Sequence, residues 1–257
     1  MIRAVVFDVG GTMHVSVKDP DRIAAFSVNV LGVLSNVGIR LDVMPEQFYA
    51  SLQRHAEEYK EWSEQSGREL PGEQIWGDYY LKPYHIDKEK LKPLAEELSF
   101  LYDDARVRNV PRPNLPETIR AIHAMGIKTG VISNIISLTF VPAVLKRYGI
   151  AEYMSCVVLS SAAGIRKPQP GIFHAAEREL ALVPSELAYV GDTISRDVMG
   201  ARNAGWRLMI QIKNKSTAFR DRNVKGSGFV PDYLIDGLDE IPGIISRENK
   251  KDEEGMA

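Results

Sequence analysis

Residues Ala4–His14 read AVVFDVGGTMH. The run Ala4–Phe7 is apolar at every position, so it predicts a strand buried on both faces, as in a parallel sheet covered by helices. Asp8 stands where that strand ends, and Gly10, Gly11 and Thr12 supply the turn after it. In open parallel sheets, ligands bind at the carboxyl ends of the strands. Asp8 is therefore a carboxylate presented where chemistry is done.

The rest of the chain follows two rhythms. From about Asp21 to Tyr102 the pattern is helical: Ile23, Phe26, Val30, Val33 and Val37 recur at three- and four-residue steps. Pro45 opens a second helix whose face carries Phe48, Leu52, Ala56 and Tyr59. A third segment holds Ile75, Trp76, Tyr79 and Tyr80, and a fourth holds Leu91, Leu94, Leu98 and Leu101. Breakers at Gly38, Ser66-Gly67, Pro71-Gly72 and Pro83 separate them, which predicts a lobe of four helices.

After Pro111, short apolar strands alternate with amphipathic helices. Strands are expected at 128–132, 155–159, 188–190, 208–212 and 232–235, with helices at 115–125, 139–148, 171–180 and 195–204. This is an α/β chain: a doubly wound, Rossmann-like parallel sheet with an α-helical lobe inserted after the first strand. The expected boundaries are 1–16 and 108–247 for the sheet domain and 17–107 for the lobe. The charged run Arg247–Ala257 lacks aromatics, and 248–257 is expected to be a disordered tail.

Bulk composition narrows the function. The formal net charge of −2 favours neither nucleic acid nor an anionic membrane as a partner. The single cysteine, Cys156, excludes an internal disulfide and a cysteine metal cluster; in the run SCVVLS it is expected to be a buried structural thiol. No apolar stretch is long enough to span a membrane, and no signal peptide is expected, so a cytoplasmic protein is anticipated.

At the predicted strand ends, polar residues converge. They are Asp8 with Gly10–Thr12; Ser133 and Asn134; Lys167 in the loop AGIRKPQPGIF; and Asp192 with Asp197 five residues on. Carboxylates crowded together need a cation, and hard oxygen ligands favour Mg²⁺. Mg²⁺ with a lysine suits a dianionic phosphoryl group.

The motifs FDVGGT, VISN, GIRKPQPGIF and YVGDTISRD, in that order and each at a strand end, resemble the haloacid dehalogenase superfamily in its subfamily with a helical cap after the first motif. Asp-x-Gly-Gly-Thr alone also matches the phosphate loop of actin-like sugar kinases. Those enzymes need further adenosine and phosphate motifs and a sugar-binding acid, which the chain lacks. The superfamily resemblance implies that Asp8 is a nucleophile forming an aspartyl-phosphate, with Ser133 and Lys167 as catalytic partners. It implies phosphate contacts from Thr12, Ser133, Asn134 and Lys167, with Thr12 also suited to fold back onto its own loop. It places Mg²⁺ on Asp8, Asp192 and the backbone carbonyl of Gly10, with Asp197 orienting Lys167 or a metal-bound water.

One position departs from the pattern. Phosphatases similar to this chain carry a second aspartate where Gly10 stands, and that aspartate protonates the leaving alkoxide. General acid–base help is worth roughly 10²–10⁴-fold, so activity is expected to be low or selective for good leaving groups. His14 is a weaker candidate for the acid. The expected function is a Mg²⁺-dependent hydrolase, a phosphatase of a small phosphorylated metabolite. The alternatives are a binding or regulatory module without turnover and, less favoured, a dehalogenase or phosphonatase. Trp62, Trp76, Tyr79, Tyr80 and Tyr84 are candidates for a substrate wall, against the more common role of core aromatics. Substrate and oligomeric state are left open by the sequence.

Overall fold

The computed structural model describes residues 1–224, 226 and 228–255 of the chain. Its strands are β1 (Ala4–Phe7), β2 (His14–Lys18), β3 (Val107–Pro111), β4 (Lys128–Ser133), β5 (Met154–Leu159), β6 (Leu187–Gly191), β7 (Leu208–Ile212) and β8 (Tyr233–Ile235). Six form one sheet in the order β5-β4-β1-β6-β7-β8, every neighbouring pair parallel. The alternation of strand side chains feeds two cores. Val5 and Phe7 pack with Leu115, Ile119 and Val141 on one face; Ala4 and Val6 pack with Phe173, Ala176 and Trp206 on the other.

From β1 the chain steps to β4 and β5, then crosses back to β6 on the other side of β1 and continues to β7 and β8. The winding therefore reverses between β1 and β6. That reversal opens a crevice at the strand carboxyl ends. Asp8 follows β1 and Asp192 follows β6, so both sit at its mouth.

The inserted lobe has its own core, built on Phe26, Val30, Leu34, Phe48, Leu52 and Trp76. Helix α1 (Pro20–Asn36) starts with Pro20 in its first turn and is capped by the Asp19 side chain, which accepts from the backbone N–H groups of Asp21 and Arg22. Helix α2 (Pro45–Ser66) buries Phe48, Leu52, Ala56, Tyr59 and Ser63 and ends at Gly67, whose φ of 66° is the left-handed conformation glycine adopts without strain. The expected third and fourth helices are broken into shorter pieces. Ile75–Tyr80 is π-helical. The last segment splits into Lys88–Leu91 and Ala95–Asp104 because Pro93 lies between them and cannot donate a helical hydrogen bond.

The two connections between lobe and sheet domain are β2 and β3 themselves. They pair antiparallel, from His14 opposite Pro111 to Lys18 opposite Val107. The run expected to be a disordered tail at 248–257 is drawn as helix as far as Gly255. Helix Ile241–Gly255 carries the run, and its polar residues are anchored. Arg207 donates to Asp252 at 2.7 Å, the Tyr233 hydroxyl to Glu248 at 2.7 Å, and Asn249 to the carbonyl of Ile2 at 3.0 Å. Charge predicted solvation there, whereas Glu248 and Asp252 are matched by partners on the sheet domain. Met256 and Ala257 lie outside the described residues.

Candidate active site

The loop after β1 is shaped by its glycines. Gly11 has φ of 101°, and a Cβ there would lie 2.2 Å from Asp192 Oδ2, so no other residue fits. Gly10 is different: it is outside the positive-φ region, and a Cβ there would meet nothing within 4 Å. Arg112 ties the turn down by donating two hydrogen bonds to the Gly11 carbonyl, at 2.8 and 3.2 Å.

Asp8 is buried, and its Oδ1 accepts from Lys167 Nζ at 2.6 Å. Lys167 also donates to Asp197 Oδ1 at 2.7 Å and to the Tyr189 hydroxyl at 2.8 Å. Asp197 is fully engaged: its Oδ2 accepts from the N–H and hydroxyl of Thr193 at 3.0 and 2.6 Å. The structure thus brings Asp8, Lys167 and Asp197 together, with Asp197 orienting the lysine. Burial pushes the Asp8 carboxyl above the ordinary range, with Lys167 opposing and Asp197 adding to the rise. Asp197 goes the other way. Burial raises it, but Lys167 and Arg196 outweigh that and hold it below the usual range.

Asp192 completes a cluster of carboxylates in which oxygens of Asp8, Asp192 and Asp197 lie within 4.8 Å of one another. Its Oδ2 accepts from Asn214 Nδ2 at 2.9 Å and from the Thr217 hydroxyl. Its Oδ1 is buried with no hydrogen-bond partner among the described residues. Burial, reinforced by Asp8 and Asp197, pushes the Asp192 carboxyl up to about 6. An orphaned carboxylate oxygen beside a second carboxylate suits a hard divalent cation.

The cavity over Asp8 is about 160 Å³ and is walled by Asp8, Gly10, His14, Ser133, Asn134 and Arg196, among others. Ser133, at the end of β4, faces it as the motif order implies. The Asn134 side chain is engaged elsewhere. It donates to the Lys167 carbonyl at 3.0 Å and accepts from the Lys167 N–H at 2.8 Å, clamping two loops together. Thr12 is fully buried and does not line the cavity; its hydroxyl donates to Asp8 Oδ2 at 3.3 Å. The Thr12 hydroxyl is thus turned toward the Asp8 carboxylate within its own loop. His14 lines the cavity but is buried against Phe140 and Tyr148, and burial, helped by Arg147, pushes it down to about 4. It is a neutral imidazole at pH 7 and a poor proton donor.

Of the lobe aromatics, Trp76 is a core residue that donates to Ser99 at 3.0 Å. Tyr80 reaches a second cavity of about 310 Å³ between lobe and sheet domain, as do Tyr59 and Tyr102. Trp62, Tyr79 and Tyr84 pack on the lobe core and do not line that cavity. Cys156 is buried, and burial pushes its thiol up to about 12, which keeps it inert.

Sequence reasoning missed the partners that hold these groups. Tyr189 is the one hydroxyl in LAYVG, and a polar tip in so apolar a strand was the available signal. Asn214 and Thr217 follow the carboxyl end of β7, in a loop of ordinary polar turn residues. Glu69 had no signal in its own segment. It follows α2, yet its carboxylate is buried against the sheet domain, bonded by Tyr59, Arg166 and, at 2.6 Å, Ser160. Backbone bonds run beside it, Glu69 N–H to Gly164 and Arg166 N–H to Gly67, both 3.0 Å. Ser160 in turn accepts from Ile135 N–H at 2.9 Å, next to Ser133-Asn134, while Arg166 precedes Lys167. One lobe carboxylate thereby fixes two catalytic loops. Breaking a buried ion pair from one side costs about 3–5 kcal/mol. Glu69→Gln is expected to lose about that much in urea unfolding and to lower turnover as well. A loss below about 1 kcal/mol would show that the pair does not hold the loops.

A model of the haloacid dehalogenase-like hydrolases matches residues 2–205. The chain belongs to the haloacid dehalogenase-like hydrolases. It is 29% identical over 252 residues to the glyceraldehyde 3-phosphate phosphatase of Methanopyrus kandleri, covering 98% of this chain and 100% of that one. It is 26% identical over 253 residues to the phosphoglycolate phosphatase of Vibrio parahaemolyticus, covering 95% and 96%. The fold is similar to that of the 2-haloacid dehalogenase from Pseudomonas syringae, with a TM-score of 0.60, 23% identity and coverage of 96% and 99%. As a haloacid dehalogenase-like hydrolase the chain is an enzyme by descent, and none of its described helices is long and apolar enough to cross a membrane.

Proposed function

We propose that this haloacid dehalogenase-like hydrolase is a Mg²⁺-dependent phosphatase of a small phosphorylated metabolite, working through an aspartyl-phosphate on Asp8 with low or selective activity. The observation that carries the reading is the pairing of a buried Asp8, held by Lys167 at 2.6 Å, with the partnerless Oδ1 of Asp192 across the reversal of the sheet. The phosphatases named above, similar along nearly the whole chain, support it.

In this reading Asp8 Oδ attacks phosphorus and the bond from phosphorus to the ester oxygen breaks. Lys167 neutralises charge on Asp8 and on the phosphoryl oxygens, and Ser133 hydrogen-bonds one of them. Asp197 and Tyr189 hold the lysine ammonium in place. Water then attacks the acyl phosphate, phosphate leaves, and the Asp8 carboxylate is regenerated. Mg²⁺, on Asp8, Asp192 and the Gly10 carbonyl, would neutralise charge on the transferring group. No side chain at position 10 protonates the leaving oxygen, and the neutral His14 does not replace it, so the alkoxide takes its proton from solvent. Esters whose leaving group has a low pKa are favoured.

Gly10 also supports a second reading, a binding module without turnover. Phosphate release from a panel of phosphorylated metabolites and p-nitrophenyl phosphate, with Mg²⁺ and with chelator, separates the two. Turnover that disappears with EDTA is expected. Tight binding of phosphorylated ligands with no phosphate release under any condition would select the module.

A further inference from the structure

The cavity of about 310 Å³ adjoins the one over Asp8; Asp103, Arg106, Asn134, Ile135 and Arg196 border both. Its wall is rich in cations: Lys60, Arg106, Arg166, Arg196 and Arg220, against the carboxylates Glu57, Glu64 and Asp103. Not all of these charges cancel. Glu69 neutralises Arg166, and Glu64 stands 3.5 Å from Arg220. Burial pushes Asp103 up to about 7, so near neutral pH that carboxyl is only partly ionised. The Nε atoms of Arg166, Arg196 and Arg220 are each buried with no hydrogen-bond partner among the described residues. Leaving a buried cationic donor unmade is costly, and natural sites accept that cost where a ligand completes them.

The cations also crowd one another across the boundary between lobe and sheet domain. Burial lowers the proton affinity of both Lys60 and Arg220, and Arg196 lowers each further. Arg196 stands at the junction, lining the catalytic cavity, the larger one and a third beside Lys60 and Phe219. The next residue, Asp197, is bonded to Lys167 at 2.7 Å. Asp197 and Asp8 act on Arg196 and Glu64 on Arg220, yet each guanidinium keeps a buried Nε with no hydrogen-bond partner among the described residues, a donor an anion in this cavity could take.

We propose that the substrate carries a second anionic group, a carboxylate or a second phosphoryl group, and that Arg196 and Arg220 receive it in the larger cavity while the scissile phosphoryl group lies at Asp8. This rests on the phosphatase reading of the site. The shared requirement is an anion a few bonds from the ester oxygen. Lys60, on α2, approaches the same space from the lobe, so such a substrate also bridges the lobe to the sheet domain.

Two matched pairs of phosphate esters test it. 3-Phosphoglycerate and glycerol 3-phosphate differ by a carboxylate against a hydroxymethyl group. Propane-1,3-diyl bisphosphate and 3-hydroxypropyl phosphate differ by the second phosphoryl group. The anionic member of one pair is expected to have kcat/KM higher by roughly 10-fold or more, and the pair that shows it identifies the group. Arg196→Gln and Arg220→Gln should each shrink that ratio by roughly 10-fold, with Arg196→Lys keeping part of it. Arg220 lies on a loop helix, so its variant keeps the test valid if Arg196→Gln does not fold. Equal kcat/KM within both pairs would overturn the second anion and leave the phosphatase intact. Calorimetric binding of the same four esters to Asp8→Asn protein makes the converse distinction. An anionic preference in Kd with no turnover by the wild type sinks the phosphatase and keeps the second anion.

Discussion

Asp8→Asn is expected to lower phosphate release by roughly 10⁴-fold or more, the scale on which covalent mechanisms lose turnover when the nucleophile is removed. The amide keeps the shape of the carboxylate but not its charge or its nucleophilic oxygen. The fold should survive, because the change removes one of three carboxylates clustered within 4.8 Å. Burial and Asp197 already push the Asp8 carboxyl upward against the pull of Lys167. Lys167 keeps Asp197 and Tyr189 as partners in the variant. The melting temperature without metal should therefore be equal to or above that of the wild type. Beryllofluoride, a phosphoryl mimic, should bind the wild type only with Mg²⁺ and the variant not at all. Undiminished turnover by the variant would remove Asp8 as nucleophile.

Gly10→Asp is expected to raise turnover of alkyl phosphates by up to roughly 10²-fold, the low end of general acid–base contributions, since the new carboxylate is not tuned by neighbours. The backbone permits the change. Position 10 lies outside the left-handed region, and a Cβ there points into space with no atom within 4 Å. Gly11→Ala is the contrasting control. At φ of 101° and 2.2 Å from Asp192 Oδ2 it should displace the Asp192 carboxylate. The gain at position 10 should be largest for esters with poor leaving groups and near zero for p-nitrophenyl phosphate. Proximity to other carboxylates raises the pKa of the newcomer, which suits an acid. Normal folding and Mg²⁺ binding with no gain on alkyl phosphates would refute the idea that a missing proton donor limits the enzyme.

The sheet and its reactive edge were legible because each depends on local sequence. Short apolar runs mark the strands, and the residues just past them, Asp8, Ser133, Lys167 and Asp192, converge once the strands are parallel. Asp197 was legible as a partner of the lysine only through the family resemblance. The ribbon β2–β3 was not legible. HVSVK and VRNVP are short, largely solvent-facing and far apart in sequence, so neither carries the burial pattern that marks a strand. Arg196 and Glu69 escaped for a different reason. Each is an ordinary charged residue in its own segment, and its meaning comes from what the inserted lobe places against it. The contacts of Glu248 and Asp252 were hidden for the same reason, since Tyr233 and Arg207 lie elsewhere in the chain.

The antiparallel ribbon has a topological meaning. Lys18 and Val107 are register partners, so the whole lobe from Asp19 to Arg106 occupies the place of a hairpin loop. Arg22 closes its neck by donating to the carbonyls of Asp104 and Ala105, at 3.1 and 3.2 Å. Entry and exit are thus one doorway rather than two. The lobe is joined through a single two-stranded strap, so a tilt of one strand would carry the other with it. Its chain ends are also near enough for a two-residue turn to join them, which is how two-stranded ribbons are ordinarily closed. A lid attached this way is modular. It can be exchanged for another, or for a bare turn, without re-threading the sheet that does the chemistry.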